Sequence, residues 1–253
     1  MTTDLKAICT GIIPARYKST RFPGKPLAMI GNKTMVQRVY EQASLALDFV
    51  YVATDDQRIY DTVTSFGGKA VMTSPLHQSG TDRCAEAVSL IMEESVRKVD
   101  IVINIQGDEP FIKPEQIEMV MECFSDDSVE IATLITKVEQ DEDIANVNEP
   151  KVIVTKSGDA IYFSRTPIPY IRGVDISAWP SKHQYYKHIG LYGYRKGTLE
   201  KLTRLEQSPL EKAESLEQNR WIENGFRIRT AVTPWESVGI DTPGDLEKAG
   251  LLI

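Results

Sequence analysis

Arg16, Lys18, Arg21 and Lys25 fall within ten residues that carry no acidic side chain, interleaved with Ser19, Thr20 and Gly24. Guanidinium forks grip phosphate oxygens bidentately, backbone N–H groups can form an anion-binding concavity, and glycine lets a backbone approach closely, so this composition suits a triphosphate. Pro14, Pro23 and Pro26 restrict the loop and lower the entropy lost on binding. A solvated charged surface loop is the plainer alternative. Against it, the whole chain carries a net charge of -7 and a pI near 5.2, so the cluster inverts the local sign. A Walker A loop is excluded. Gly24-Lys25 is followed by Pro26, Gly31-Asn32-Lys33-Thr34 lacks glycine directly before its lysine, and there is no Gly-x-Gly-x-x-Gly.

Such a loop needs a strand end to hold it. The apolar run Ala7 to Ile13 reads as a buried strand that stops at Pro14, and in open α/β sheets ligands sit beyond the carboxyl ends of strands. A second strand end lies at residues 101–105, continuous and apolar apart from Asn104, as expected of a central parallel strand covered on both faces. It delivers Gln106-Gly107-Asp108-Glu109-Pro110. This could be only the turn into a helix from Pro114 to Phe124. Opposite a phosphate loop, however, Asp108 stands where magnesium would be held, because that hard ion shares oxygen ligands between carboxylates and substrate phosphates.

The other elements follow from periodicity and caps. Thr34 caps a helix to about Leu47, Phe49 to Ala53 is a strand, and a helix from Arg58 to Phe66 ends at Gly67-Gly68 before a short strand at 70–73. His77-Gln78-Ser79-Gly80-Thr81-Asp82-Arg83 opens the next helix with Thr81 as its cap. The donors of Ser79 and Gly80 at that positive helix end, with the fork of Arg83, also suit a nucleotide. Residues 129–138 form a strand, 139–149 an acidic surface excursion, and 152–156 with 160–163 a hairpin leading to Arg165. Residues 167–182 show no clear periodicity, 187–195 alternate as a strand, and a helix follows at about 197–205. One helix is expected from Ser208-Pro209 to Gly225, with Leu210, Ala213, Leu216 and Trp221 in the core. A late strand at 227–233 and a helix begun by Thr242-Pro243 complete the chain, with Asp241 at the least supporting that turn. The alternation indicates an α/β fold with a mainly parallel mixed sheet flanked by helices.

At 253 residues, with 42% apolar and 26% charged content, the chain can bury a substantial core in one α/β domain. No stretch approaches the roughly 20 apolar residues that cross a bilayer, and Met1-Thr2-Thr3-Asp4-Leu5-Lys6 lacks the marks of a secretory signal. Cys9, Cys84 and Cys123 are odd in number and widely spaced, which gives no zinc spacing and fits reduced thiols in the cytoplasm. Acidity speaks against a nucleic-acid partner.

The segment from Pro14 to Leu27, P-A-R-Y-K-S-T-R-F-P-G-K-P-L, resembles the signature loop of the sugar nucleotidyltransferases, most closely the cytidylyltransferase branch acting on 3-deoxy-D-manno-octulosonate (Kdo). Four further segments are similar in the same order: H-Q-S-G-T-D-R, in which the family usually has Glu at the position of Asp82, then Q-G-D-E-P, then Y-F-S-R with H-I-G-L-Y-G-Y and S-P-L-E-x-x-x-x-L-E-Q-x-R, and V-G-I-D-T-P. The resemblance implies a Rossmann-like nucleotide-diphospho-sugar transferase fold. It implies CTP and Kdo as substrates, CMP-Kdo for lipopolysaccharide biosynthesis and pyrophosphate as products, and Mg2+ as cofactor. It assigns Pro14, Ala15, Arg16, Arg21, Lys25, Ser79, Gly80 and Arg83 to the nucleotide, with Arg16 and Lys25 also catalytic. Asp108 and Asp241 go to the metal, and Gln106, Arg165, His188, Tyr192, Glu217 and Gln218 to the sugar. His188 could equally be a satisfied strand histidine. An excursion at about residues 165–200 would contribute to the sugar pocket and to a homodimer contact. The rival readings are another sugar nucleotidyltransferase, such as a CMP-sialate synthetase-like enzyme or one using a sugar 1-phosphate, an enzyme for an 8-amino Kdo analogue, and a catalytically silent nucleotide-binding protein.

Overall fold

Thr2–Ile8 forms a short helix (α1), and strand β1 then runs Cys9–Ala15. Ala7 and Ile8 are therefore helical, contrary to the sequence expectation, because the neighbouring strand offers its first partner to Cys9. Nor does the strand stop at Pro14, which pairs with Ala53. The Gly11 N–H points to Phe49 O on one side, so period two directs the nitrogen of Pro14 to the other side, where the ladder already ends at Ile12 and Asn104. The missing donor therefore leaves the pairing with β4 intact.

The computed structural model describes residues 2–18, 22–94, 98–139, 144–236 and 238–249. After β1 come the two-residue strands β2 (Met29–Ile30) and β3 (Lys33–Thr34), then α2 (Met35–Ala46), β4 (Val50–Thr54), α3 (Gln57–Ser65), β5 (Ala70–Met72) and α4 (Gly80–Glu94). Next are β6 (Ile101–Asn104), α5 (Pro114–Glu122), β7 (Ile131–Lys137), β8 (Lys151–Val154), β9 (Ala160–Ser164), α6 (Trp179–Lys182) and β10 (Tyr186–Arg195). The chain closes with α7 (Lys196–Leu202), α8 (Pro209–Glu214), α9 (Glu217–Glu223), β11 (Ile228–Val232) and α10 (Pro243–Ala249).

The main sheet has the order β11-β7-β10-β6-β1-β4-β5, with β8 and β9 branching from β10. Its pairings are parallel except around β10, which is antiparallel to β6 and β7, and within the β8–β9 hairpin, so the mainly parallel mixed sheet expected from the alternation is what forms. Alternation sends successive side chains to opposite layers. Ile13, Ile101, Ile103 and Leu134 pack with Val36, Val39, Ile117 and Phe124 of α2, α5 and the turn after α5, whereas Ile12, Val102, Ile131 and Ile135 pack with Ala87, Val88, Leu199 and Trp221 of α4, α7 and α9.

The helices begin where their caps place them. Thr34 Oγ1 accepts from the Gln37 N–H at 3.3 Å, and Asp56 from the Arg58 N–H at 3.0 Å. Thr81 is not the cap of α4. Ser79 and Asp82 form a reciprocal box instead, with Ser79 Oγ accepting from the Asp82 N–H at 3.1 Å and the Asp82 carboxylate from the Ser79 N–H at 3.2 Å. The single helix expected from 209 to 225 is broken into α8 and α9 by Ser215, at φ 52°. With the periodicity interrupted there, Leu210 and Ala213 are exposed while Leu216 and Trp221 are buried. Residues 167–182 have a small core of their own, in which Trp179 stacks on Tyr185 with ring centroids 6.2 Å apart beside Val138 and Ile144.

Candidate active site

The carboxyl ends of β1 and β6 open into a cavity of about 240 Å³ lined by Pro14, Ala15, Arg16, Lys25, Ser79, Gly80, Arg83, Gln106, Asp108 and Asp241. The sequence-assigned nucleotide and metal residues thus meet in one place. Arg21, with Ser19 and Thr20, lies outside the described residues. Two glycines permit the approach. A Cβ on Gly107 would stand 2.7 Å from the carbonyl oxygen of Pro14, so only glycine lets the turn after β6 press against the end of β1. Gly24 has φ 72°, a Cβ there would stand 3.1 Å from the Tyr17 ring, and its N–H donates to Tyr17 O at 2.9 Å. The guanidinium of Arg58 lies 3.4 Å from the centre of the Tyr17 ring and anchors the cationic loop to α3.

At the mouth, Lys25 Nζ donates to Asp108 Oδ2 at 2.6 Å and to Asp241 Oδ1 at 3.2 Å. The two carboxylates come from segments far apart in the chain, joined by the Ile240 N–H donating to the Asp108 carbonyl at 2.9 Å. Lys187 Nζ grips Glu236 at 2.7 Å, and Ile240 packs with Ile30 and Met35, so the loop before α10 is held on both sides. Arg83 is buried, reaching Thr73 Oγ1 at 2.6 Å and Asp55 at 3.3 Å; it fastens α4 to the ends of β4 and β5 while lining the cavity.

The residues assigned to the sugar lie around β10. Gln106 lines the cavity and donates from Nε2 to Gly190 O at 3.1 Å. Along β10, Ile189 pairs with Leu134 but the next partnered residue, Tyr192, pairs with Thr133, so two extra residues bulge out and His188 and Tyr192 keep the same parity. Their rings lie 5.2 Å apart. Thr133 Oγ1 is 2.8 Å from Leu191 O and 3.1 Å from His188 Nε2. Which of Thr133 Oγ1 and His188 Nε2 donates in that contact depends on the imidazole tautomer. Burial pushes His188 down to about 3.

That shift has a thermodynamic consequence. The folded state keeps a neutral imidazole that the unfolded chain protonates near 6.5, so stability falls as pH drops through 6.5 toward 3. Between pH 7 and 5 the contribution of His188 is about 2 kcal/mol. Urea unfolding at both pH values should show His188→Gln losing less stability than the unsubstituted chain by about that amount. An equal loss in the two proteins would mean that the imidazole is solvated.

Glu217 accepts from Thr81 Oγ1 at 2.8 Å and from Arg220 at 2.6 Å, and burial still raises its pKa. Burial, reinforced by the charge of Glu217, pushes the Tyr192 and Tyr194 phenols well above their usual range. The Tyr192 hydroxyl, Gln218 Nε2 and Asn104 Oδ1 are buried with no hydrogen-bond partner among the described residues. Of the residues assigned to the sugar only Gln106 lines the cavity; His188, Tyr192, Glu217, Gln218 and Arg165 do not. The Arg165 fork donates to the carbonyls of Glu214 at 2.7 Å, Val147 at 2.9 Å and Ser215 at 3.4 Å, spanning the α8–α9 corner.

Sequence reasoning passed over His77, Gln78 and Pro26, which also line the cavity. The signal was available, since all three sit inside motifs already singled out. His77 Nε2 meets Glu86 Oε2 at 2.6 Å, which fixes the turn that leads into α4.

A family model described as cytidylyltransferase matches residues 10–228. The 3-deoxy-manno-octulosonate cytidylyltransferase of Parabacteroides distasonis is 56% identical over 243 residues, covering 94% of this chain and 95% of the relative. That of Thermodesulfovibrio yellowstonii is 50% identical over 242 residues, with 94% and 95% covered. Among solved structures, a CMP:2-keto-3-deoxy-manno-octonic acid synthetase complexed with CTP superposes with a TM-score of 0.86 at 43% identity, over 96% of this chain and 97% of the other.

Proposed function

The chain belongs to the cytidylyltransferase family, and from that premise we propose that it transfers CMP from CTP to the anomeric hydroxyl of Kdo, giving CMP-Kdo for lipopolysaccharide biosynthesis and releasing pyrophosphate. The observation that carries this reading is the convergence of Arg16, Lys25, Asp108 and Asp241 on one cavity at the carboxyl ends of two parallel strands. The sugar oxygen attacks the α-phosphorus in line as the bond to the β-phosphate oxygen breaks. No covalent intermediate with the protein is required, since positioning and charge neutralisation can carry such a transfer. Gly80, at the start of α4, offers its N–H to the nucleotide beside Ser79, and Arg16 and Lys25 hold the triphosphate.

Asp108 and Asp241 fit a magnesium site: two oxygen donors from separate segments already converge on one cation, the ammonium of Lys25. Among the described residues no group of three or more acidic, His or Cys side chains gathers as a metal cage, so substrate phosphates and water would complete the coordination. The bound ion would supply Lewis-acid neutralisation of phosphate charge.

The acceptor is placed by Gln106, His188, Tyr192, Glu217 and Gln218. The buried, unpartnered Tyr192 hydroxyl and Gln218 amide favour a polyhydroxylated ligand there, because such groups are costly unless a ligand or water meets them. Arg165 would turn from neutral carbonyls to the carboxylate of Kdo, a stronger acceptor for its fork. Arg165→Ala should then raise KM for Kdo by roughly ten- to a hundredfold and leave CTP binding, measured by calorimetry, nearly intact. If Arg165 served only to brace the α8–α9 corner, its loss would lower the thermal midpoint and weaken both substrates alike.

We further read the chain as one nucleotidyltransferase domain acting as a cytoplasmic homodimer, with residues 165–200 at the dimer contact. No helix among the described residues is long and apolar enough to cross a membrane. Pyrophosphate release measured with CTP, UTP, ATP and GTP against Kdo, its 8-amino analogue and sialate tests the assignment. Preference for CTP with Kdo supports it; preference for sialate or for another nucleotide moves the chain to a different branch.

A further inference from the structure

We propose that Lys25 is a place-holder for the metal: its ammonium occupies the cation position between Asp108 and Asp241 until the nucleotide arrives, so that the ion enters only together with the triphosphate. The inference rests on the reading that these two carboxylates hold the ion. Lys25 Nζ lies 2.6 Å from Asp108 Oδ2 and 3.2 Å from Asp241 Oδ1, both within reach of charge-assisted hydrogen bonds. The lysine side chain is 15% exposed against 30% and 45% for the acids it bridges, so it is the most buried of the three. Two carboxylates brought to one point repel each other unless a cation lies between them, and here the chain supplies its own.

The stem is directed there by the backbone. Gly24, at φ 72°, caps the 3-10 turn of residues 25–27, and Pro26 is buried behind it. A divalent ion arriving alone must break both ammonium contacts and then sit beside a displaced positive charge with no new partner. When it arrives with a triphosphate, Lys25 moves to phosphate oxygens instead, which line up with the adjoining Arg16 in the same cavity. The affinities for metal and nucleotide are thereby coupled, and each raises the other by the same factor. One side chain offsets half the carboxylate charge of the resting site and grips the leaving group in the loaded one.

Binding of Mn2+ followed by electron paramagnetic resonance of the free ion tests this without turnover. In the absence of nucleotide, Lys25→Met and Lys25→Gln should each bind Mn2+ about tenfold more tightly than the unsubstituted protein or better. Lys25→Met combined with Asp108→Asn should lose that gain. With CTP added, and the ion bound to CTP alone subtracted, the unsubstituted protein should tighten on Mn2+ by a larger factor than either Lys25 variant. Equal Mn2+ affinity in all three proteins without CTP, or equal tightening with it, would overturn the place-holder role while leaving the metal reading intact. Failure of the unsubstituted protein to bind Mn2+ even with CTP would instead remove the metal site itself.

Discussion

Asp108→Asn and Asp241→Asn are each expected to lower kcat by about a thousandfold while the protein stays folded. The asparagine oxygen can still accept from Lys25, so the geometry at the mouth survives and what is lost is charge. Both acids are partly exposed, and ion pairs of that kind contribute little to stability, so the thermal midpoints should barely move. Single-turnover rates at saturating CTP, Kdo and magnesium, set beside thermal melts, separate the two effects. A variant with near-normal turnover would take its carboxylate out of the metal site, and the other acid would then have to act with residues not assigned here.

The second large effect concerns the cations. Arg16→Ala and Lys25→Ala should each weaken CTP binding and slow the chemical step by roughly ten- to a thousandfold, because charge grows on the departing pyrophosphate and these groups are placed to meet it. Lys25→Arg should rescue incompletely. The ammonium fits between two carboxylates at 2.6 and 3.2 Å, a compact position that a broad planar guanidinium does not reproduce. Unchanged single-turnover rates in both alanine variants would return the loop to a solvated surface feature.

Much of this site could be read before any coordinates. A cationic loop after the first strand and Asp108 after a buried central strand are both strand-end features, and the α/β alternation alone says that such ends share one edge. Asp241 is different. Only the resemblance gave it a role, because nothing local distinguishes a carboxylate that supports a turn from one that reaches Lys25; the Ile240 to Asp108 backbone bond that settles its position spans more than a hundred residues. The same limit explains the misreadings. Pro14 looked like a strand end because proline cannot donate, yet its nitrogen faces away from β4, and the pairing with Ala53 does not need it. Residues 209–223 have helical propensity throughout, and the break at Ser215 follows from tertiary packing that buries Leu216 and Trp221 and leaves Leu210 outside. Thr81 was a reasonable cap on local grounds, but its hydroxyl is committed to Glu217, 136 positions away. Arg165 and His188 were assigned by motif, and no pattern in the sequence announced that the first would face carbonyls or that the second would be half-buried and neutral.

Phosphorus-31 resonance of a mixture of the protein, CTP, magnesium and Kdo tests the central claim most directly. The account predicts that the three CTP signals give way to a phosphodiester signal from CMP-Kdo and to pyrophosphate in equal amounts, with no change when Kdo is left out. Pyrophosphate and free CMP appearing at the same rate without Kdo, or CTP persisting unchanged in the complete mixture, would contradict it.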